Sequence, residues 1–159
     1  MKKMTDILLR AQSFLDRGDN IRAFNLFMEA AREGKTASYN TIGYMLDHGI
    51  GVAKDEEAAF RWYKKAARAG DCVSYNNIGI YYYNKKNINL AKKWLMRSIN
   101  NKYHGSALFL SRIYMNDLKN IRLAKKYANI VLNSDYVSSF DKEEANKLLG
   151  KIKSIKKPV

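Results

Sequence analysis

The sequence has very little of the two residues that most restrict a polypeptide chain, proline and cysteine. One proline occurs in 159 residues, Pro158, so no proline interrupts a helix in the rest of the chain. One cysteine occurs, Cys72, which excludes an internal disulfide and is typical of proteins in a reducing compartment. We therefore expect a cytoplasmic protein whose fold is held together by side-chain packing.

Long hydrophobic runs are also missing. Asp6, Arg10 and Asp16 interrupt the apolar stretch near the N-terminus, so no segment resembles a secretory signal or reaches the ~20 apolar residues of a membrane span. Hydrophobic residues make up 47% and charged residues 28% of the chain, which is typical of a globular protein and not of a disordered one. We expect residues 1–159 to form a single domain.

Acidic residues are absent between Asp71 and Asp117, although the whole chain carries a net charge of +14. Residues 1–50 contain seven Lys and Arg and six Asp and Glu. Residues 51–159 contain twenty-two Lys and Arg and nine Asp and Glu. A field of one sign over much of a chain favours an anionic partner, which is an acidic protein, a nucleic acid or a membrane surface. The cations of the acid-free interval are Lys85, Lys86, Lys92, Lys93, Arg97, Lys102 and Arg112.

What the sequence does contain is an internal repeat. LFMEAAREG at 26–34 returns as WYKKAARAG at 62–70, and TASYNTIGYML at 36–46 returns as CVSYNNIGIYY at 72–82. In each of these two cases the copies are 36 residues apart, and the later repeats are about four residues shorter. Each repeat predicts two amphipathic helices, and Gly34 and Gly70 stand where a left-handed residue ends the second helix.

The repeats predict an all-α fold in which about four helix pairs stack into a solenoid (an α–α superhelix) and a last helix caps the stack. We place the repeats near 4–35, 36–71, 72–104 and 105–134, and the capping helix within 138–156. Asp141 is the candidate N-cap of that helix, with Glu144 three residues later. The predicted helices are 4–16, 20–33, 37–47, 55–69, 72–84, 88–101, 105–116, 120–133 and 141–155.

The second repeat, residues 37–71, resembles a Sel-one-like repeat, which is a relative of the tetratricopeptide repeat. The third repeat keeps Gly79 and Trp94 but lacks the Gly-x-Gly loop, and the outer repeats match more weakly. The resemblance implies a right-handed superhelix with a concave inner surface, a role in protein–protein binding, and no catalytic residues. The matching residues are Ala37, Ile42, Gly43, Leu46, Gly49, Gly51, Val52, Asp55, Ala59, Trp62, Lys65, Ala66, Ala67 and Gly70.

Few residues have the spacing expected of a catalytic, metal-binding or phosphate-binding site. His48 and His104 lie in different repeats without further ligands at metal spacing, and the Gly-Ile-Gly of 49–51 follows a predicted helix, which is the wrong context for a phosphate loop. We interpret the histidines and Cys72 as structural residues at helix ends and repeat junctions. We therefore expect no enzyme, no cofactor and no metal.

Three consecutive tyrosines, Tyr81, Tyr82 and Tyr83, stand beside the basic interval. Tyr82 aligns with Leu46 and is predicted to be in the core, with its two neighbours flanking it. Tyrosines next to lysines can stack nucleic-acid bases, form a protein-binding hot spot, or pack between repeats while the lysines are solvated. The sequence leaves these three interpretations open.

Two surfaces are candidates for partner binding. One is a concave groove lined by the first helices of the pairs, although some of its residues, Phe109 especially, are equally suited to helix packing. The predicted groove residues are Asn40, Thr41, Tyr44, Asn76, Asn77, Ile80, Phe109 and Arg112. The other surface is a basic face made of Lys85, Lys86, Lys92, Lys93, Arg97 and Lys102.

The first functional hypothesis is a non-catalytic interaction module, either an adaptor or a small inhibitor, that binds an acidic protein. One alternative is an immunity protein that occludes a cognate toxin or effector, although the basic charge fits poorly with a basic nuclease as the target. The other alternative is a nucleic-acid-binding protein that uses the basic surface of the third and fourth repeats, although no recognised nucleic-acid motif occurs.

Overall fold

The computed structural model describes residues 6–155, and these residues form an all-α solenoid of helix pairs without a strand. The bounds predicted from the sequence are confirmed to within two residues, except that the predicted first two residues of the first helix lie outside the described range. The nine helices of this range are α1 (Ile7–Asp16), α2 (Asn20–Arg32), α3 (Ser38–His48), α4 (Glu56–Arg68), α5 (Cys72–Asn84), α6 (Ile88–Asn100), α7 (Ser106–Asn116), α8 (Ile121–Leu132) and α9 (Ser139–Ile155).

The second helix of every pair begins in the same way. An Asp or Asn precedes the helix, and its side-chain oxygen accepts a hydrogen bond from the amide of the third helical residue, which satisfies a backbone donor that the helix itself cannot pair. These N-caps recur through the chain and fix where α2, α4, α6 and α8 start. They are Asp19 to Arg22 at 3.2 Å, Asp55 to Ala58 at 2.8 Å, Asn87 to Leu90 at 3.1 Å and Asn120 to Leu123 at 3.0 Å.

The predicted N-cap of the last helix was wrong. The Ser138 hydroxyl accepts a hydrogen bond from the Asp141 amide at 3.1 Å and donates one to the Asp141 carboxylate at 2.7 Å. Ser138 is therefore the N-cap, and Asp141 takes the acidic position in the first turn. Glu144, which was predicted for that position, instead accepts a hydrogen bond from Arg112 of α7 at 2.9 Å.

The chain divides between Ile78 and Gly79, inside α5, into two compact units. Unit one contains α1 to α4 and the beginning of α5, with α1 packed on α2 and α3 packed on α4. Its core consists of small and large residues that interdigitate, as tight helix packing requires. The core residues include Ala11, Ala23, Phe27, Ala30, Ile42, Met45, Ala59, Tyr63 and Ala66, each exposed by 4% or less.

The loop that follows α3 is packed against the start of α2. Gly49 and Gly51 both have a φ of +69°, which glycine adopts without strain. A Cβ on Gly51 would lie 2.1 Å from the carbonyl oxygen of Asn20, so no larger residue fits there. The Gly-Ile-Gly sequence is therefore a packing element that brings the loop after α3 against α2 of the preceding helix pair.

Unit two contains the end of α5 and helices α6 to α9, with α7 packed on α8 and α9 packed on both. Leu95, Leu110, Ile113 and Val131 are buried at its centre. From α9, the residues Ala145, Leu148 and Ile152 join the same core. The prediction of a last helix that packs on the preceding pair is therefore confirmed.

Candidate partner-binding surface

The predicted basic face follows the third repeat. Lys85 and Lys86 lie at the end of α5, Lys92, Lys93 and Arg97 lie on α6, and Lys102 follows α6. All are exposed except Lys92, which is half-buried with its ammonium group 5.9 Å from the centre of the Tyr114 ring. The sequence between Asp71 and Asp117 provides no carboxylate to balance them. The whole face is therefore positive at neutral pH.

A cavity of about 600 Å³ opens within this face of unit two. Its wall contains two rings, Tyr82 from α5 and Trp94 from α6, and two cations, Lys93 and Arg97. Tyr82 packs against the core of unit two but is only half-buried and also lines this cavity, so the prediction of a core residue is confirmed only in part. The remaining lining residues, all from α6 or the turn after it, are Leu90, Met96, Asn100 and Asn101.

Trp94 and its counterpart in the preceding repeat, Trp62, have different surroundings. Trp62 packs against Tyr39 with 5.5 Å between the ring centres, and the Lys65 ammonium lies 4.1 Å from the Trp62 ring centre. Trp94 lines the cavity, and the Arg97 guanidinium carbon lies 5.5 Å from its ring centre. Both tryptophans therefore have a cation over the ring, and they differ in that Trp62 packs against Tyr39 whereas Trp94 lines the basic cavity.

The predicted groove residues fall in both units, and those of unit one are largely engaged with each other. The Asn40 side-chain oxygen accepts hydrogen bonds from the Ser74 hydroxyl and the Asn77 amide, each at 3.0 Å. Tyr44 is 47% exposed and stacks on His48 with 4.1 Å between ring centres. Thr41 and Asn76 are half-buried. Within this set, Tyr44 presents the most accessible aromatic surface.

The groove residues of unit two also serve packing. The half-buried Phe109 meets the Tyr83 ring edge-on at 5.1 Å between centres, as its alternative interpretation predicted, and Ile80 is half-buried. Arg112 forms an ion pair with Glu144 at 2.9 Å and thereby joins α7 to α9. Substitution of Arg112 would therefore change the stability of unit two as well as any binding. That the eight residues make one groove remains a prediction.

The candidate chemical residues have structural partners. His48 is exposed at the end of α3, where its Nδ1 lies 3.0 Å from the Tyr44 carbonyl oxygen, and His104 Nδ1 lies 2.9 Å from the Ser134 hydroxyl. Burial raises the pKa of the Tyr63 phenol, with a further contribution from Asp47, so this phenol stays protonated at neutral pH. Among residues 6–155, no three His, Cys, Asp or Glu side chains are grouped to hold a metal ion.

The sequence profile of the Sel1 repeat family matches residues 37–71 and 73–102. Residues 37–102 of the chain contain two Sel1 repeats. The resemblance seen in the sequence is therefore confirmed, and it extends to the third repeat, where the Gly-x-Gly loop is missing. Sel1 repeats generally serve as scaffolds for protein–protein interaction.

Three solved structures are similar in fold to this chain. A Sel1 repeat protein from Oxalobacter formigenes matches with a TM-score of 0.57 and 21% identity, over 86% of this chain and 65% of that one. A protective antigen of uropathogenic Escherichia coli with an SLR fold matches with a TM-score of 0.70 and 14% identity, over 98% of this chain and 39% of that one. An immunity protein from Pseudomonas aeruginosa matches with a TM-score of 0.53 and 16% identity, over 76% of this chain and 52% of that one.

These identities show a common fold, and this chain spans less than two thirds of each of those three proteins. No curated protein matches the sequence. None of the helices within residues 6–155 is both long enough and apolar enough to cross a membrane.

The two units of this chain fill equivalent backbone positions with residues of different charge. The N-caps are Asp19 and Asp55 in unit one and Asn87 and Asn120 in unit two. Each Asn makes the same hydrogen bond as the Asp it replaces, without the negative charge. The cap is therefore retained while unit two becomes more positive.

The residues of positive φ that follow the helices also make unit two more positive than unit one. Among residues 6–78 of unit one, those of positive φ are all glycines, namely Gly18, Gly34, Gly49, Gly51 and Gly70. In unit two, the described residues of positive φ are all lysines, Lys86, Lys102 and Lys119, at φ values of 61°, 68° and 50°. A lysine in this region costs about 1 kcal/mol or more relative to glycine. Three positive charges therefore stand where glycine would be the more stable choice, and repeat alignment alone would have revealed Lys102 opposite Gly34 and Gly70.

Proposed function

We propose that this protein is a non-catalytic interaction module whose unit two binds an acidic surface of another protein. The observation that carries the proposal is the division of charge. Residues 6–78 contain ten Lys and Arg and ten Asp and Glu, whereas residues 79–155 contain fifteen and five, a difference of ten positive charges. Over the full sequence, residues 1–78 carry a formal charge of +2 and residues 79–159 a charge of +12, so most of the positive charge lies in unit two.

A charge excess confined to one part of a molecule has two effects on association. It accelerates the diffusional encounter with an oppositely charged surface, and it orients the protein so that unit two makes the first contact. Both effects weaken as salt is added, because the Debye length falls to about 8 Å at physiological ionic strength. We therefore expect the partner to carry a cluster of Asp and Glu side chains.

Within this class of function, an immunity or inhibitor role is the second candidate. The solved immunity protein from Pseudomonas aeruginosa shares the fold, which makes a Sel1-repeat solenoid a suitable scaffold for occluding another protein. If the chain acts in this way, its target presents an acidic surface, because unit two would repel a basic one.

The proposal is tested with a variant that lowers the charge of unit two without removing a structural feature. Five substitutions place in unit two the residue type that unit one has at the equivalent position: Lys86→Gly, Lys102→Gly, Lys119→Gly, Asn87→Asp and Asn120→Asp. The charge of residues 79–155 falls from +10 to +5. We expect this variant to be at least as stable as the wild type, because glycine suits a positive φ and an acidic N-cap favours the helix dipole.

The control lowers the charge of unit one by the same amount at exposed positions, with Arg10→Gln, Arg17→Gln, Arg32→Gln, Lys35→Gln and Arg61→Gln. Tagged wild type and both variants are used to isolate partners from native lysate at physiological salt, with and without nuclease treatment. We expect one stoichiometric acidic protein with the wild type and the control, and its loss with the unit-two variant. Recovery of nucleic acid alone before nuclease treatment, and of nothing after it, would overturn the proposal in favour of nucleic-acid binding.

A further inference from the structure

The cavity between Tyr82 and Trp94 provides apolar and cationic groups side by side. We infer that it is the specificity pocket of unit two, and that it takes an extended acidic segment of the partner through one large apolar side chain with carboxylates on either side. This inference rests on the proposed function and adds to it the place of binding and the chemistry of the segment.

The apolar part of the cavity is suited to a single anchor side chain. Leu90 and Met96 contribute hydrocarbon and thioether surface, and Met96 is 42% exposed although it is a large apolar residue. Methionine adapts its shape to different partners, and tyrosine and tryptophan are enriched where a partner side chain is buried. A volume of about 600 Å³ holds a leucine or phenylalanine together with the adjoining backbone.

The cationic part stands at the same opening. Lys93 and Arg97 are one helical turn apart on α6, and both line the cavity. A guanidinium binds a carboxylate through two parallel hydrogen bonds, and an ammonium attracts one as a point charge. Carboxylates before and after the anchor residue would therefore be held by these two side chains.

The amides of Asn100 and Asn101 complete the lining. The Asn101 amide donates one hydrogen bond to the Arg97 carbonyl oxygen at 2.8 Å, and its Oδ1 acceptor together with the Asn100 amide can bond to the backbone of an extended chain. Against a DNA sugar–phosphate backbone only the amide donors would be used, because its oxygens accept hydrogen bonds and donate none. A second copy of this chain is disfavoured as the occupant, because both copies would carry a net charge of +14.

The equivalent positions of α4 provide a matched control. Arg61, Trp62 and Lys65 precede Lys93, Trp94 and Arg97 by 32 residues and have the same kinds of charge. In α4, however, Asp55, Glu56 and Glu57 begin the helix, and Trp62 packs against Tyr39. Reversing the charges of Arg61 and Lys65 changes the net charge exactly as much as reversing those of Lys93 and Arg97.

Trp94 itself reports whether the cavity is occupied. The chain has two tryptophans, so the Trp62→Phe variant emits from Trp94 alone. The probe is the blocked peptide Glu-Glu-Leu-Phe-Glu-Glu, which contains no tryptophan or tyrosine. We expect a saturable change in Trp94 emission with this peptide. When Leu-Phe is replaced by Ser-Ser, the affinity should fall by at least about tenfold, because the apolar anchor is lost.

Affinities of the charge variants are measured by isothermal titration calorimetry with the same peptide. We expect Lys93→Glu with Arg97→Glu to weaken binding by at least about tenfold, and Arg61→Glu with Lys65→Glu to weaken it by less than about threefold, since the latter act only through long-range charge. Circular dichroism melts of the wild type, of Trp62→Phe and of the two double charge variants show whether each remains folded.

The outcomes separate this inference from the proposed function. Peptide binding with unchanged Trp94 emission, and equal losses in the two charge variants, would overturn the cavity as the site while the acidic partner of unit two stands. Absence of peptide binding at millimolar concentration would also overturn it. Tight binding of a twelve-nucleotide oligothymidylate, together with no peptide binding, would overturn both the cavity as the binding site and the proposed function.

Discussion

Gly79 of α5 lies directly against Leu95 of α6, so closely that a Cβ on the glycine would come within 2.8 Å of the Leu95 Cγ. Gly43 has the same relationship to Tyr63 in unit one, where the added Cβ would lie 2.7 Å from the tyrosine ring. The two glycines are 36 residues apart and occupy the same repeat position. In both pairs, the missing side chain lets a large residue of the second helix reach the backbone of the first.

Gly79→Ala should therefore lower the free energy of unfolding by about 1–3 kcal/mol, because the buried methyl group displaces Leu95. The control is Gly150→Ala in α9, where the new Cβ meets nothing within 4 Å and the higher helix propensity of alanine should add about 0.5–1 kcal/mol. Urea unfolding measures both. Equal stability of the two variants would show that α5 and α6 do not approach as closely as described.

The loop after α3 allows the cost of a clash to be separated from the cost of backbone strain. Gly49 and Gly51 share a φ of +69°, but a Cβ on Gly49 has 3.5 Å of space whereas one on Gly51 would lie 2.1 Å from the Asn20 carbonyl oxygen. Gly49→Ala should cost about 1–2 kcal/mol for the positive φ alone. Gly51→Ala should cost clearly more in the same thermal or urea experiment, and a similar cost for both would contradict the packing of this loop on α2.

Lys86 provides the opposite case, since its φ of 61° suits glycine better than lysine. Lys86→Gly should raise the free energy of unfolding by about 1 kcal/mol. Removing a charge from a basic unit also changes stability, so Lys86→Ala serves as the control, because it removes the charge but keeps the strained backbone. The difference in urea midpoint between these two variants measures the strain, and no difference would mean that Lys86 is unstrained.

The Arg112–Glu144–Lys147 cluster makes part of the stability dependent on pH. The hydrogen bond from Lys147 lowers the pKa of the Glu144 carboxyl below its ordinary value, and Arg112 adds to the effect. A lowered pKa in the folded state stabilises the protein at pH values above the unfolded pKa, which is about 4.3, and this contribution is lost as the pH falls through the folded value. Wild type should therefore exceed Glu144→Gln in melting temperature at pH 7, and the gap should close below pH 4. A gap that persists at pH 3 would contradict the role of the Glu144 charge.

The helices were predictable because their ends are marked in the sequence. The N-cap Asp55 and the glycines Gly34 and Gly70 stand at fixed places in a visible repeat, so the bounds follow from local rules of capping. The N-cap of α9 was mispredicted because Ser138 and Asp141 are both good caps three residues apart. Local sequence does not decide between them, whereas the hydrogen bonds between Ser138 and Asp141 do.

The cavity was not predictable from the sequence. Tyr82 aligns with the buried Leu46, and alignment does not show that a larger ring will remain half-exposed beside Trp94. The Arg112–Glu144 ion pair joins residues 32 positions apart on different helices, so no local pattern indicates it. The lysines of positive φ contradict the usual preference for glycine, and such departures from local preference are expected where charge or binding matters more than stability.

The packing of helices on their neighbours in the sequence has a consequence for how this protein folds. Contacts between α1 and α2, between α3 and α4 and between α7 and α8 close only short stretches of chain, so forming each pair costs little loop entropy. Folding can start at any of these pairs and proceed to the adjacent one, without waiting for distant segments to meet. Amide hydrogen exchange should accordingly reveal helix pairs that open separately, each with its own protection, instead of one global transition.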